Sequence, residues 1–285
     1  MDVTFDATRR EIATDKGVLH YHEAGDPDAP PLILLHGSGP GVTGWRNYRG
    51  NLEFFAQTHR CYVLEFPGFG VSAPWEGMPV LTAGKSVTTF MDALAIEKAP
   101  MIGNSMGGVV GVNLAIRKPD RIEKLVTIGG VGPNLFSPSP SEGLRLLQEF
   151  ADDPDQDKLI RWLNAMVFDR TLVTDELIAE RWATAMNPDA LATGRAMYGS
   201  KSFEMQQQFL AASDTPPYWS MMHKIACPTL LTWGRDDRVS PPDMAMVPMR
   251  LIPGAELHIF GRCGHWVMIE AKEAFESTVA AFLAR

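Results

Sequence analysis

Short apolar runs bounded by turn formers alternate with helical periodicity along most of this chain. Residues 12–14 and 18–23 flank the turn-forming Asp15-Lys16-Gly17 and predict an opening β-hairpin. Residues 32–36 form a brief apolar stretch between Pro30-Pro31 and Gly37, as a buried strand requires. Residues 61–66 repeat that pattern and stop at Pro67-Gly68. Over 87–96 the period becomes helical, with Phe90, Met91 and Leu94 on one face. A strand over 99–102, a helix over 106–117 and a strand over 125–128 follow. This alternation predicts an α/β fold, with a mostly parallel central sheet covered by helices on both faces.

The alternation stops near Gly132. From 137 to 218 the patterns are helical, over 144–150, 158–167, 176–186 and 190–197. Pro138, Pro140, Pro154, Pro188 and Pro216-Pro217 punctuate them. The strand–helix rhythm returns at Pro228 and closes with a helix over 272–283. We therefore expect a core of residues 1–136 and 219–285, interrupted by a helical lid of residues 137–218. The insert leaves the carboxyl end of a parallel strand, where such sheets bind ligands, which favours a lid over a peripheral decoration. Its methionines, Met166, Met186, Met197 and Met205, suit a roomy apolar pocket but are assigned mostly to the insert's own packing.

Composition narrows the class. A net charge of −8 with no Lys/Arg cluster argues against a nucleic-acid groove. No apolar run approaches the roughly 20 residues that span a bilayer, and the start of the chain lacks the basic and apolar segments of a signal peptide. Cys61, Cys227 and Cys263 are odd in number and far apart. They form neither a metal spacing nor a disulfide framework, so a reduced, cytoplasmic protein is expected. A homodimer or higher homo-oligomer is the default assembly.

Three separated residues carry the candidate chemistry, each just after a strand-like run. Ser105 lies in Gly103-Asn104-Ser105-Met106-Gly107, a Gly-x-Ser-x-Gly turn between strand and helix. Such a turn presents a hydroxyl at a helix N-terminus, where developing negative charge is favoured. A hydroxyl needs a base within reach. His265, in Gly264-His265-Trp266 after the last strand, is the best of seven histidines. His20 and His22 read as an exposed sheet face, and His36 as a loop anchor. The acid that orients the base is Asp237 rather than Asp236, because it stands clear of the strand end. Asp236 is left to a loop contact. The chain order Ser…Asp…His suits acyl transfer from serine. The backbone N–H groups of Ser38 and Met106 are the expected oxyanion donors. The loop His36-Gly37-Ser38-Gly39-Pro40-Gly41 lacks the ending of a P-loop and the spacing of a dinucleotide site.

Together these segments resemble the α/β-hydrolase superfamily over nearly the whole chain. Four stretches look like the meta-cleavage product hydrolases. They are His36-Gly-Ser-Gly-Pro-Gly41 with Gly44-Trp45-Arg46-Asn47, Gly103-Asn-Ser-Met-Gly-Gly108, Trp233-Gly-Arg-Asp-Asp-Arg238 and Cys263-Gly-His-Trp266. That resemblance implies cofactor-independent cleavage of a C–C bond in 2-hydroxy-6-oxohexa-2,4-dienoates. It implies that Arg181 holds the dienoate carboxylate, with Trp266, Asn47 and Asn104 lining the polar end of the pocket. It leaves open whether Ser105 or a water first attacks the ketone. Glu65 stands where the family often has aspartate, a departure expected to alter loop anchoring rather than catalysis. An esterase or lactonase using the same triad is the first alternative, and a non-catalytic binding protein the second. Dehalogenation is disfavoured because its nucleophile is a carboxylate.

Overall fold

The hairpin forms where the polar turn predicts it. After the single turn of α1 (Phe5–Thr8), strands β1 (Arg9–Thr14) and β2 (Gly17–Ala24) pair antiparallel, Ile12 opposite Leu19. In the computed structural model, residues 3–212 and 216–285 are described. Met1, Asp2 and residues 213–215, the last three inside the expected lid, lie outside the described residues. Strands β3 (Pro31–Leu35), β4 (Arg60–Leu64), β5 (Ala99–Asn104), β6 (Ile122–Ile128), β7 (Thr229–Gly234) and β8 (Glu256–Phe260) complete an eight-stranded sheet. Its order is β1-β2-β4-β3-β5-β6-β7-β8, and every pairing from β4 to β8 is parallel. The chain therefore has the expected α/β-hydrolase architecture.

The two-residue period of β3 explains the layers. Leu32 and Leu34 enter one core, Ile33 and Leu35 the other, all fully buried. Each such side chain contributes about 2 kcal/mol by leaving water. Helices α2 (Gly44–Phe55), α3 (Pro79–Ala93) and α4 (Met106–Arg117) follow β3, β4 and β5. The sequence reading did not find α2. Its buried face is built partly from Asn47 and Asn51, so the apolar period is broken at positions that are nonetheless interior.

Between β6 and β7 the chain makes a helical excursion. It contains α5 (Glu142–Asp152), α6 (Gln156–Met166), α7 (Asp175–Ala185), α8 (Pro188–Tyr198) and α9 (Ser200–Ala212). Ser141, Asp155, Thr174 and Asn187 cap the first four, each accepting from a backbone N–H of the first turn. Leu146, Phe150, Leu159 and Trp162 join the same core as Leu32 and Leu34, so the excursion is packed onto the sheet layer. Short helices α10 (Met246–Leu251) and α11 (Val267–Glu270) precede the closing α12 (Lys272–Leu283). Among the described residues, no helix is long and apolar enough to cross a membrane, and the three cysteines are free.

Candidate active site

Ser105 sits between β5 and α4 with φ 51° and ψ −112°, a strained conformation for a side-chain-bearing residue. Close packing imposes it. A Cβ on Gly103 would lie 2.4 Å from the Gly107 carbonyl group, and one on Gly107 would lie 2.2 Å from Leu35 O. The Ser105 N–H is fixed by Ile128 O at 2.8 Å, so β6 holds the turn in place. The result is a hydroxyl facing a cavity of about 310 Å³. Among the described residues, that hydroxyl has no hydrogen-bond partner. Bonds between nucleophile and base are commonly long without substrate and tighten when it binds.

His265 lines the same cavity and is buried. Its Nδ1 lies 2.7 Å from Asp237 Oδ2. The other Asp237 oxygen accepts the N–H groups of Val239 and Ser240, both at 2.8 Å. A carboxylate committed to accepting makes Nδ1 the protonated nitrogen and leaves Nε2 free to take a proton. Asp236 instead bonds backbone to backbone with Cys263 at 2.9 Å and lies beside Arg235, a loop contact as expected. Glu270, which the sequence reading did not single out, fixes the histidine loop. It accepts from Gly264 N–H through Oε1 and from Phe168 and Asp169 N–H through Oε2. The His265 N–H itself donates to Met166 O at the end of α6.

Ser38 and Met106 line the cavity beside Ser105. Met106 begins α4, where the first N–H groups have no intrahelical acceptor. Neither its N–H nor that of Ser38 has an acceptor among the described residues, so both are free to serve an oxyanion. The Ser38 hydroxyl is hydrogen-bonded to Tyr198 of α8, a contact with no sequence signal. Burial raises the Tyr198 pKa, keeping it a neutral phenol.

Arg181, Asn47 and Trp266 line a second cavity of about 290 Å³. The two cavities approach one another at consecutive residues, His265 facing the first and Trp266 the second. Arg181 is only 2% exposed, and its Cζ lies 4.9 Å over the Trp266 ring. Among the described residues its side chain makes one hydrogen bond, a long one of 3.4 Å from Nη1 to Pro40 O, and buried Nε has no partner. Glu180 pairs with Arg46 at 3.1 Å, not with Arg181. Burial pulls the Arg181 pKa down to about 9, with Arg46 nearby acting in the same direction. The guanidinium is thus charged at neutral pH and interior; the charge of Glu180 acts on it from nearby, but among the described residues it forms no salt bridge. Close approach of α7 requires Gly41, whose Cβ would lie 2.2 Å from Arg181 O.

Three sequence expectations need correction. Asn104 lines neither cavity: its Oδ1 accepts from Asn47 Nδ2 at 3.0 Å, and its own Nδ2 donates to Ile128 O. It positions Asn47, whose Oδ1 remains buried and unpaired. His22 is not on an exposed face. Phe5 and Trp45 cover it, Thr8 Oγ1 lies 2.9 Å from its Nδ1, and burial lowers its pKa to about 4. The methionines divide otherwise than expected: Met166 and Met197 line the Ser105 cavity, whereas Met186 and Met205 are exposed.

The loop anchors match the sequence reading. His36 Nδ1 donates to Gly37 O, and Nε2 accepts from Phe66 N–H. Those two bonds define a neutral imidazole, and burial lowers its pKa to about 4. Buried Glu65 accepts from the Trp45 N–H at the start of α2, which ties this loop to that helix.

A family model for the alpha/beta hydrolase fold matches residues 30–272. The chain is 39% identical over 275 residues to a 2-hydroxy-6-oxononadienedioate/2-hydroxy-6-oxononatrienedioate hydrolase of Comamonas testosteroni, covering 93% of this chain and 91% of that one. It is also 39% identical over 274 residues to a 2-hydroxy-6-oxo-6-phenylhexa-2,4-dienoate hydrolase of Burkholderia cepacia, with the same coverage. Among solved structures, the meta-cleavage product hydrolase of Pseudomonas fluorescens aligns with TM-score 0.85 and 29% identity, covering 97% of this chain and 98% of that one. The 2-hydroxy-6-oxo-6-phenylhexa-2,4-dienoate hydrolase of a Rhodococcus strain aligns with TM-score 0.86 and 26% identity, covering 97% and 99%.

Proposed function

The chain belongs to the α/β-hydrolase family, in its meta-cleavage product hydrolase branch, and from that premise we propose that it hydrolyses the C5–C6 bond of a 2-hydroxy-6-oxohexa-2,4-dienoate. One observation carries the choice over a general esterase: among the described residues, Arg181 is a buried guanidinium without a salt bridge, and Asn47 Oδ1, lining the same cavity, is unpaired. An interior charge that lacks a directly bonded counter-ion costs several kcal/mol. A planar fork of donors against an indole face is suited to a carboxylate held in two places.

In this reading the substrate spans both cavities. Its carboxylate lies on Arg181 near Trp266 and Asn47, and its C6 ketone lies at Ser105. Holding the carboxylate orients the dienol as its 2-hydroxyl gives up a proton and C5 takes one up, giving the keto form. His265 Nε2 then accepts the Ser105 proton as Oγ bonds to C6, and Asp237 stabilises the imidazolium. The N–H groups of Ser38 and Met106 hold the oxyanion. When it collapses, the C5–C6 bond breaks and its electron pair delocalises into the ketone. Protonation by His265 then releases 2-hydroxypenta-2,4-dienoate. Water deprotonated by His265 attacks the acyl-serine, freeing the acid and restoring Ser105. Residues 137–218 act as the lid, because Arg181, Trp162 and Tyr198 all come from that insert. Free cysteines are consistent with a cytoplasmic enzyme, and a homodimer or higher homo-oligomer is the assembly to test by size-exclusion chromatography.

Arg181→Ala tests the reading. It should lower kcat/KM on a carboxylated dienoate by about 100-fold or more and leave neutral 4-nitrophenyl esters within about threefold. Equal losses on both would remove the carboxylate clamp.

A further inference from the structure

Charge is divided unequally between the two cavities. Four cations, Arg46, Arg49, Arg181 and Lys272, and two carboxylates, Glu176 and Glu180, surround one of them. Around the Ser105 cavity, His265 is the sole titratable nitrogen base among the described residues, and no lysine, arginine or carboxylate lines it. The residues outside that description include no lysine or arginine. Beyond the Ser38, Ser105, Ser240 and Tyr198 hydroxyls and His265, the lining is mainly thioether, aliphatic and indole, with Met166, Met197, Leu147, Val239 and Trp162 as its main apolar surfaces. Trp162 is held there by close packing, since a Cβ on Gly39 would lie 2.6 Å from its ring. The Tyr198 hydroxyl is already committed to Ser38.

Resting on the dienoate reading above, we propose that the substituent on C6 is uncharged and apolar, an aryl or alkyl group of about one ring, and that dioates are poor substrates. Sequence identity does not decide this, because dienedioate hydrolases match the chain at 39% and 40% and a phenyl-dienoate hydrolase at 39%. The cavity does. A second carboxylate buried among thioethers and aliphatic carbons has no cation to meet, and desolvation without pairing is costly. Size agrees: an apolar cavity of about 150 Å³ holds benzene, and this one, at about 310 Å³, has room for one ring beside the reacting ketone. Hydrolysis of the phenyl substrate then gives benzoate, and hydrolysis of the nonadienedioate gives succinate, each with one 2-hydroxypenta-2,4-dienoate.

The test compares kcat/KM for 2-hydroxy-6-oxo-6-phenylhexa-2,4-dienoate and 2-hydroxy-6-oxononadienedioate, alongside 4-nitrophenyl benzoate and 4-nitrophenyl hemisuccinate. We expect the phenyl dienoate to exceed the dioate by about 100-fold or more, and Met197→Lys to shift that ratio toward the dioate by about tenfold. A dioate cleaved as well as or better than the phenyl substrate overturns the inference and leaves the C–C hydrolase reading intact. If neither dienoate is consumed, that reading fails, and the esters still probe the cavity. Preference for the benzoyl ester then upholds the apolar assignment, and preference for the hemisuccinate overturns it.

Discussion

The phenol of Tyr198, on α8, is hydrogen-bonded to Ser38 Oγ in the loop after β3, joining positions 160 residues apart. The bond links the helical insert to the loop whose N–H we assign to the oxyanion. Removing the phenol oxygen frees the Ser38 hydroxyl and loosens that loop without emptying the cavity. Tyr198→Phe should lower kcat about tenfold, with KM within about twofold and the melting temperature nearly unchanged. Steady-state kinetics with thermal melts checks this, and an unchanged kcat would make the contact merely structural.

Asp237 and Asp236 are neighbours with different partners. Asp237 accepts from His265 and two backbone N–H groups, whereas Asp236 meets the Cys263 loop and Arg235. Asp237→Asn should cost about 10⁴-fold in kcat through the wrong imidazole tautomer. Asp236→Asn should cost less than about threefold. The opposite ranking in an ester assay would overturn the acid assignment.

Gly41 lies where α7 approaches the loop before it, at φ +64° and with Arg181 O 2.2 Å from an added Cβ. Gly41→Ala should therefore push Arg181 away from the substrate carboxylate. We expect a rise in KM for dienoates of about tenfold or more and a stability loss of about 2 kcal/mol, from strain and overpacking together. Kinetics and urea denaturation measure both.

Acid should weaken the fold through its buried histidines. His22 and His36 have folded pKa values of about 4, lowered chiefly by burial from 6.5. Between those values the unfolded chain binds the protons and the folded chain does not, so stability falls as pH drops from 6.5 toward 4. Glu65, raised by burial, acts in the opposite sense over its own range. His20 and His59 are lowered by burial as well, and Glu270 is raised like Glu65; four histidines against two carboxylates leave a net loss, which melts taken at pH 7 and pH 5 should show. A melting temperature that rises on acidification would contradict this.

The parts of the molecule that repeat a simple period were readable in the chain. Helix α4 spans Met106–Arg117 as expected, and β3, β5 and β7 are apolar runs because helices cover both their faces. Motif residues were readable as well, since a strained serine turn needs Gly103 and Gly107 around it. Features made by burying polar groups were not. Asn47 and Asn51 hid α2, and Trp45 and Phe5 closed over a histidine expected on an open face. Tyr198 and Glu270 act through partners far away in the chain, and no local pattern marks such residues. The placing of Arg181 apart from Ser105, in a cavity of its own, also comes only from tertiary packing.

The central claim is that Ser105 is the nucleophile on a dienoate whose carboxylate is held elsewhere. Rapid mixing of the phenyl dienoate with wild-type protein and with Ser105→Ala, followed by visible absorbance, tests it most directly. The account predicts that wild type bleaches the substrate to equal amounts of benzoate and 2-hydroxypenta-2,4-dienoate. Ser105→Ala should bind the substrate with similar affinity and leave its absorbance standing. Bleaching by Ser105→Ala at the wild-type rate would contradict it.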